Sequence, residues 1–546
     1  MSTIDWVILI TTLCSIIIFG VYKSRTTKNL DGYFLSNRSM PWYLVLLSIM
    51  GTQASAVTFL SAPGQAYTDG MRFVQYYFGL PLAMVVICIF FVPVFRKLKV
   101  YTAYEFLENR FDLKTRSLTS ALFLISRGLS TGISIYAPSI ILSSLLGWNI
   151  YYTNLVMGGL LIIYTMSGGA KAVAYTQQLQ LIIIIAGMFL AGYMVVALLP
   201  DGMGFSSAIK MAGNNGKMNI ITTGVSDHHF DWKDKYNIWS GVIGGFFLSL
   251  SYFGADQSQV GRYLTASSDH ESKIGLLVNG LVKVPMQFLI LLVGILVFSF
   301  YQYHKAPVYF DEARVSIAKK TIYKDSLVGI EQQYNKALAA NDQVQATNLR
   351  SQYKTILKKA IPGDDANDTN FIFLRFVIDN LPKGLVGLLI AVIFLAAWGS
   401  IAAALNSLAS CTVVDFHKKF INKNCTEAND YRISRLYTLG WGLFSIVIAM
   451  FAQNIGNSLI EAVNILGSLF YGVILGIFLV AFWIKFVRGN AVFIAAVVSE
   501  LLVILIYKLD IISFLWLNVI GALLVIMISL VMQLLLPKNK SDYSKV

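Results

Sequence analysis

The sequence predicts an all-α membrane protein with about 13 transmembrane helices, built around two five-helix repeats of inverted topology. Three observations predict it. First, the 546 residues are 56% hydrophobic and only 13% charged, where soluble domains carry about 25% charged residues. A mean hydropathy of +0.64 shows that the apolar excess runs through the whole chain. Second, apolar runs of about 20 residues, long enough to cross a bilayer core, recur from end to end. Third, two of those runs, five spans apart, are interrupted by glycine and polar residues.

The expected spans lie near 5–22, 41–67, 73–95, 117–146, 150–167, 173–199, 236–258, 274–301, 383–412, 434–452, 458–484, 491–508 and 511–536. The N-terminus opens with Asp5 and lacks a basic n-region or an A-x-A cleavage site, so the first run reads as a retained helix. Lys and Arg are concentrated in alternate loops: Lys23, Arg25, Lys28 and Arg38; Arg96, Lys97, Lys99, Arg110, Lys114 and Arg116; Lys171; Arg262 and Lys273; Lys418, Lys419, Lys423, Arg432 and Arg435; Lys485 and Arg488; and the tail with Lys538, Lys540 and Lys545. Short loops of the other parity are nearly free of them. Positive residues stay inside, so the N-terminus is expected outside and the C-terminus in the cytoplasm, in a multi-pass protein of the cell membrane.

Residues 1–40 then form an extra helix and an inside loop, and 41–199 the first repeat. An outside loop covers 200–235. The second repeat is divided into 236–301 and 373–484 by an extracytoplasmic helical insertion at 302–372, and 485–546 hold two peripheral helices and the tail. Within the insertion, Val328 to Ile361 reads as two short helices joined at Ala340-Asn341-Asp342.

The interrupted spans point to function. The second reads IMGTQASAVTFLSAPG and holds Gly51, Thr52, Gln53, Ser55 and Thr58. The seventh reads LSLSYFGADQSQ, with Ser249, Ser251, Gly254, Asp256 and Gln257. In hydrocarbon, an unmet polar group costs several kcal/mol, so irregular backbone persists only where it is buried in protein or lines a cavity. Paired breaks at matching places in two halves mark a transporter's binding site. The odd spacing of five spans inverts the second half: spans two to six form one repeat and seven to eleven the other.

Other classes are excluded by what the chain lacks. It has no GxxxxGK[ST], HExxH or GxSxG motif, and His228-His229 has no third ligand nearby, so no enzyme is expected and no cofactor. The net charge of +14 is spread over loops and forms no basic groove for nucleic acid. Cys14, Cys88, Cys411 and Cys425 show no metal or disulfide spacing. A channel or a non-transporting solute sensor is the alternative class, and the oligomeric state is not readable.

Six passages resemble the sodium:solute symporter family of sugar, proline, iodide, multivitamin and monocarboxylate symporters: SAVTFLSAPGQAY at 55–67, FVPVFRKLKVYTAYEFLENRF at 91–111, GISIYAPSIIL at 132–142, YTMSGGAKAVAYTQQLQ at 164–180, DQSQVGRYL at 256–264 and ALNSLAS at 404–410. The likeness covers nearly everything but the insertion, and IYAP is most similar to the iodide, multivitamin and monocarboxylate branch. It implies a leucine-transporter-type inverted-repeat core, sodium as coupling ion, and a small polar organic solute (sugar, sugar acid, monocarboxylate or vitamin-like) moved by alternating access.

The resemblance also implies site residues. The family's sodium lies between the broken second span and the ninth, which corresponds to the carbonyls of Gly51, Ala54 and Ala396. The family's hydroxyl pair falls on Gly399 and Ser400, of which only Ser400 carries a hydroxyl. An aspartate of the family falls on Gln177, within Tyr175-Thr176-Gln177, where the amide oxygen offers a neutral ligand. These departures leave proton coupling through Asp256, or uncoupled transport, as alternatives. For the solute, Lys283 in GLVKVPMQF matches a lysine of the sugar symporters, with Asp256 a plausible partner. Thr58, Tyr77 and Ser249 stand where sugar transporters of the family carry Gln, Glu and Asn; Tyr252 holds the aromatic gate position, and Gln257 lies in the same polar break. Such a pocket suits a carboxylate or sugar acid better than a hexose. Arg127 reads as structural, and Glu500 lies in a peripheral span.

Overall fold

The computed structural model describes residues 1–24, 30–226, 228–340, 342–362, 366–422, 427–452 and 458–536. Arg25, Lys28, Asn341, Lys423, Cys425, Lys538, Lys540 and Lys545 lie outside the described residues, as does the side chain of Lys171. Helices dominate. The single sheet among the described residues is a two-stranded pair, Val225–Ser226 with His229–Phe230, in the 200–235 loop.

Both expected breaks are present. The second span is split into Trp42–Gln53 and Ala56–Asp69. Ser55 between them is extended, and its N–H bonds Gln53 O at 2.9 Å. That turn removes the donor which an intact helix would direct to the Gly51 carbonyl. The seventh span is split into Ser240–Gly254, a π-turn leading into an α-helix, and Gln257–Tyr263. Asp256 caps the second piece, its carboxylate accepting from Ser258 N at 2.8 Å, as a helix N-terminus favours.

Among the described residues ten helices are long and apolar enough to cross a membrane, and three shorter apolar ones lie at Trp42–Gln53, Ile150–Met166 and Ser240–Gly254. The figure of 13 spans is therefore not established by length and hydropathy: two of the short helices are pieces of broken spans. Residues 150–197 form one 48-residue helix where two spans were expected. A straight helix of that length would measure about 72 Å, over twice the hydrocarbon thickness. Its first part packs on Glu427–Phe451, with Gly442 against Ile162, and its second on Leu385–Cys411, with Gly187 against Val392.

Asp5, at the start of Thr3–Ser24, is buried; it accepts from Gly384 N at 2.6 Å and Gly387 N at 3.2 Å, capping the ninth span. A Cβ on Gly387 would come 2.2 Å from Asp5 O, so glycine is what permits this approach.

The insertion contains Glu312–Ala318, Lys324–Ala339 and Gln343–Ala360, the last two around a small core of Leu327, Tyr334, Leu349, Tyr353 and Leu357. It docks on the first repeat: a Cβ on Gly64 would lie 1.9 Å from Thr369 O. Asn370 also accepts from Leu459 N at 3.2 Å, at the start of Leu459–Trp483.

Candidate functional site

The two breaks open on one cavity of about 140 Å³. Thr58 and Gln53 line it from the first break, Ser249 and Tyr252 from the second. Tyr77 joins them after the first repeat's half-helix, Lys283 from Asp269–Tyr303, and Ser400 from the ninth span. The wall is completed by Arg127, Thr131 and Ser134 of Leu113–Leu146, and by Asn464 and Tyr471 of Leu459–Trp483. Inverted halves thus bring distant short polar motifs to one place.

Lys283 is 1% exposed, and its Nζ stands 5.5 Å from the Tyr77 ring centroid. Among the described residues no carboxylate or carbonyl pairs with it. A cation–π contact is worth about 2 kcal/mol or more when desolvated, less than the cost of burying an unpaired ammonium, so Lys283 presents to the cavity an amine with no anionic partner among the described residues.

Asp256 is matched, but not by Lys283. Arg127 Nη2 is ion-paired with Asp256 Oδ2, the same oxygen accepts from Tyr471 OH at 2.7 Å, and Arg127 Nη2 also donates to Tyr471 OH at 2.8 Å. Asp256 Oδ1 takes Ser258 N and Ser258 Oγ at 2.8 and 2.6 Å. The Arg127 guanidinium lies 5.4 Å from the Tyr252 ring centroid. The expected Asp256–Lys283 pair is therefore replaced by an Asp256–Arg127 pair linking the fourth, seventh and eleventh spans.

Gln257 does not line the cavity. Its Oε1 accepts from Ala103 N at 3.0 Å and its Nε2 donates to Tyr101 O at 2.7 Å, so both ends of the amide hold the loop after the third span. A substrate role is not what this geometry supports: the half-helix turns this side chain away from the break.

At the expected cation position the residues divide. The carbonyls of Gly51 and Ala54 are released by the break: the N–H of Ser55 turns to Gln53 O, and that of Thr58 to Ser55 O. Ala396 lies inside the unbroken helix Leu385–Cys411, and its carbonyl accepts from Ser400 Oγ at 3.0 Å, so no break frees it. The Ser400 hydroxyl hydrogen is spent within its own helix, leaving oxygen lone pairs toward the cavity. Gly399 directs its carbonyl to Gln177 Nε2 at 3.0 Å. Gln177 presents donors, not its oxygen, to these groups: Nε2 also reaches Thr52 Oγ1 at 3.2 Å, while Oε1 accepts from Ser48 Oγ at 2.9 Å.

Several lining residues were missed in the sequence. Arg127, Thr131 and Ser134 are spaced i, i+4 and i+7, one polar stripe on an apolar helix. Asn464, Gly467 and Tyr471, spaced i, i+3 and i+7, likewise share one face of the eleventh span, where Asn464 Oδ1 accepts from Tyr76 OH at 3.1 Å. That periodicity was the available signal. Among the described residues no group of three His, Cys, Asp or Glu side chains is placed to hold a metal.

An inverted-repeat helical core around a polar cavity at paired breaks defines a secondary transporter. The family model described as "Sodium:solute symporter family" matches residues 33–323 and 349–498, and the chain belongs to that family. Its members are sodium-coupled transporters and not enzymes. The chain is 26% identical to the sodium/sialic acid symporter NanT of Aliivibrio fischeri, over 96% of this chain and 92% of that one. It is 30% identical to the human sodium/iodide cotransporter over 50% of this chain and 41% of that one. It is 26% identical to the human sodium-coupled monocarboxylate transporter 1 over 89% of this chain. The fold matches a solved outward-open, substrate-bound Na+-coupled sialic acid symporter with a TM-score of 0.79 at 24% identity, covering 99% of both chains. The fold is thus of leucine-transporter type. The unmatched stretch between 323 and 349 falls inside the insertion.

Proposed function

We propose that the protein couples sodium entry to uptake of a small polar solute bearing a carboxylate, an acidic sugar of the sialic acid kind, by alternating access across the cell membrane. The observation that carries this reading is the amine of Lys283, without an anionic partner among the described residues, in a cavity whose polar lining, beside the Asp256-paired Arg127, is hydroxyls, amides and tyrosines among apolar side chains. A carboxylate would match the charge, and Thr58, Ser249, Thr131 and Ser134 would meet the hydroxyls of a sugar acid. The sialic acid symporters among its relatives support the same class of solute. Sodium would be held at the released carbonyls of Gly51 and Ala54 with Ser400. Loop charge supports an outside N-terminus and a cytoplasmic C-terminus.

Proton coupling through Asp256 has less support, because that carboxylate already accepts from Arg127, Tyr471 and Ser258. The test is uptake into proteoliposomes of N-acetylneuraminate, lactate and glucose, each under a sodium, a proton or no gradient. Sodium-driven, saturable uptake of the acidic sugar with counterflow is the expected result. Equal uptake of glucose, or uptake driven by protons alone, would overturn the proposal, and non-saturating flux would favour a channel.

A further inference from the structure

A second cavity lies behind the broken second span, on the lipid side of the core. One wall is residues 185–196 of the sixth span, the other residues 286–296 of the eighth, and Phe59 of the half-helix Ala56–Asp69 closes the back. Both walls belong to helices apolar enough to cross a membrane. Phe189 and Tyr193, which border the groove, are 61% and 69% exposed, so it opens on hydrocarbon. Among the described residues lining it, the Tyr193 hydroxyl is the only side-chain oxygen or nitrogen. The groove starts near the middle of both spans and ends beside Phe205, at the start of the helix Phe205–Asn214, whose Ala208 O accepts from Ser299 Oγ at 2.7 Å.

Its dimensions select an occupant. Ten or eleven helical residues rise about 16 Å, roughly half of the ~30 Å hydrocarbon thickness, which is one leaflet. The groove holds about 440 Å³, and over that length this gives a mean cross-section of about 28 Å², roughly 6 Å across. A helix with its side chains is about 10–12 Å wide, so no span of a second copy or of another protein enters. A single polymethylene chain does. Lipid tails gain no hydrophobic free energy by moving from bilayer to groove, but an unfilled groove would leave its walls without contact atoms on one side.

We propose that this groove binds one acyl chain of a phospholipid, from the leaflet on the side of the 200–235 loop, and that the bound chain supports the half-helix Ala56–Asp69 from behind. Thr58 lines the solute cavity and its neighbour Phe59 the groove; Lys283 and Met286 divide the eighth span in the same way. Two elements that present groups to the solute cavity therefore have a lipid tail at their backs. A tail too broad for the slot leaves Phe59 unsupported and lets the half-helix open more often.

The experiment uses the full chain in nanodiscs of dioleoyl phosphatidylcholine, doped with a phosphatidylcholine that carries a diazirine midway along one acyl chain. After photolysis, adducts on 185–196 and 286–296 should exceed severalfold those on Thr3–Ser24, whose exposed Ile4, Val7, Ile10 and Ile18 report ordinary boundary lipid. Gly192→Leu fills the slot, because a Cβ at 192 meets only Val293 Cγ2, at an ordinary 3.5 Å. That excess should then be lost. Hydrogen exchange reads the support: wild-type amides of Ala56–Asp69 should exchange about threefold faster in diphytanoyl than in dioleoyl phosphatidylcholine, since branched chains do not fit, and equally in Gly192→Leu. Neither readout depends on which solute or ion is carried. Labelling no higher than on Thr3–Ser24, an excess that survives Gly192→Leu, or one seen only with a diazirine fatty acid overturns the phospholipid site. Wild-type exchange that ignores chain branching overturns the support. Should Gly192→Leu not fold, Val196→Phe plugs the same groove and is read in the same way.

Discussion

Replacing Lys283 by methionine is the sharpest test of how the cavity recognises solute. Methionine retains most of the side chain's length and apolar volume but removes the charge. At about 4 Å and an effective dielectric of about 20, an ammonium and a carboxylate attract by about 4 kcal/mol, an upper bound before the solute is desolvated. The net value of a hydrogen bond to a charged group is about 1.5–3 kcal/mol, so the apparent affinity for an acidic sugar should fall roughly 10- to 150-fold. Stability should move the other way or stay put. Lys283 is 1% exposed with no ion-pair partner among the described residues, so its removal strands no opposite charge and relieves a desolvated ammonium. The assay pairs melting temperature in detergent with the concentration dependence of uptake. An unchanged half-saturation, or a large fall in melting temperature, would refute the reasoning.

Four other outcomes are expected. Ser400→Ala should raise the half-saturating sodium concentration about tenfold; Gly399→Ser should lower it only when Gln180→Ala accompanies it, because a Cβ at 399 would meet Gln180 Oε1 at 2.5 Å; sodium titrations of uptake check both. In the insertion, burial pushes the Asp368 carboxyl up, but Arg350 and Lys354, each at 2.9 Å, outweigh it and hold it below the usual range. The stabilisation is therefore complete above the unfolded value of about 3.9 and lost as pH falls further, so the protection factors of the 343–360 amides, taken relative to intrinsic exchange at each pH, should be smaller at pH 3 than at pH 6, and in Asp368→Asn small at both. For topology, an impermeant thiol reagent on whole cells should label Val344→Cys but reach Phe420→Cys, exposed near the basic Lys418 and Lys419, only after permeabilisation; the reverse labelling would invert the orientation.

Much of the architecture was legible because membrane insertion leaves a strong trace in sequence. Apolar length marks spans, and glycine with polar residues inside an apolar run marks a break. Lys283 stood out for the same reason. What periodicity does not carry is partnership. Asp256 and Lys283 both belong to the polar inventory of the core, yet Arg127, 129 positions from Asp256, takes the carboxylate. Nothing local announces that pairing, since it depends on how the fourth span crosses the seventh. Gln257 shows the same gap: it sits beside Asp256 in the break, but the half-helix carries its amide to Tyr101 and Ala103. The carbonyl of Ala396 was expected free, and the ninth span proved continuous there. Residue type suggested that Gln177 would offer its oxygen to a cation; instead that oxygen accepts from Ser48 Oγ, and the Nε2 donates to Thr52 Oγ1 and Gly399 O.

Charge counting around the cavity ties the proposed solute to the proposed ion. Arg127 and Asp256 cancel as a pair, and Lys283 in its ammonium form leaves one net positive charge. Placing sodium at Gly51, Ala54 and Ser400 beside that charge adds a second cation to the same low-dielectric space, and like charges there repel. A neutral sugar would leave the repulsion untouched. A carboxylate against Lys283 removes one of the two positive charges, so sodium binds more tightly when the anion is present. Linkage makes the effect reciprocal: sodium must then tighten the anion by the same factor. Coupling of ion and solute, on this assignment, follows from one unpaired lysine and needs no direct contact between the two ligands.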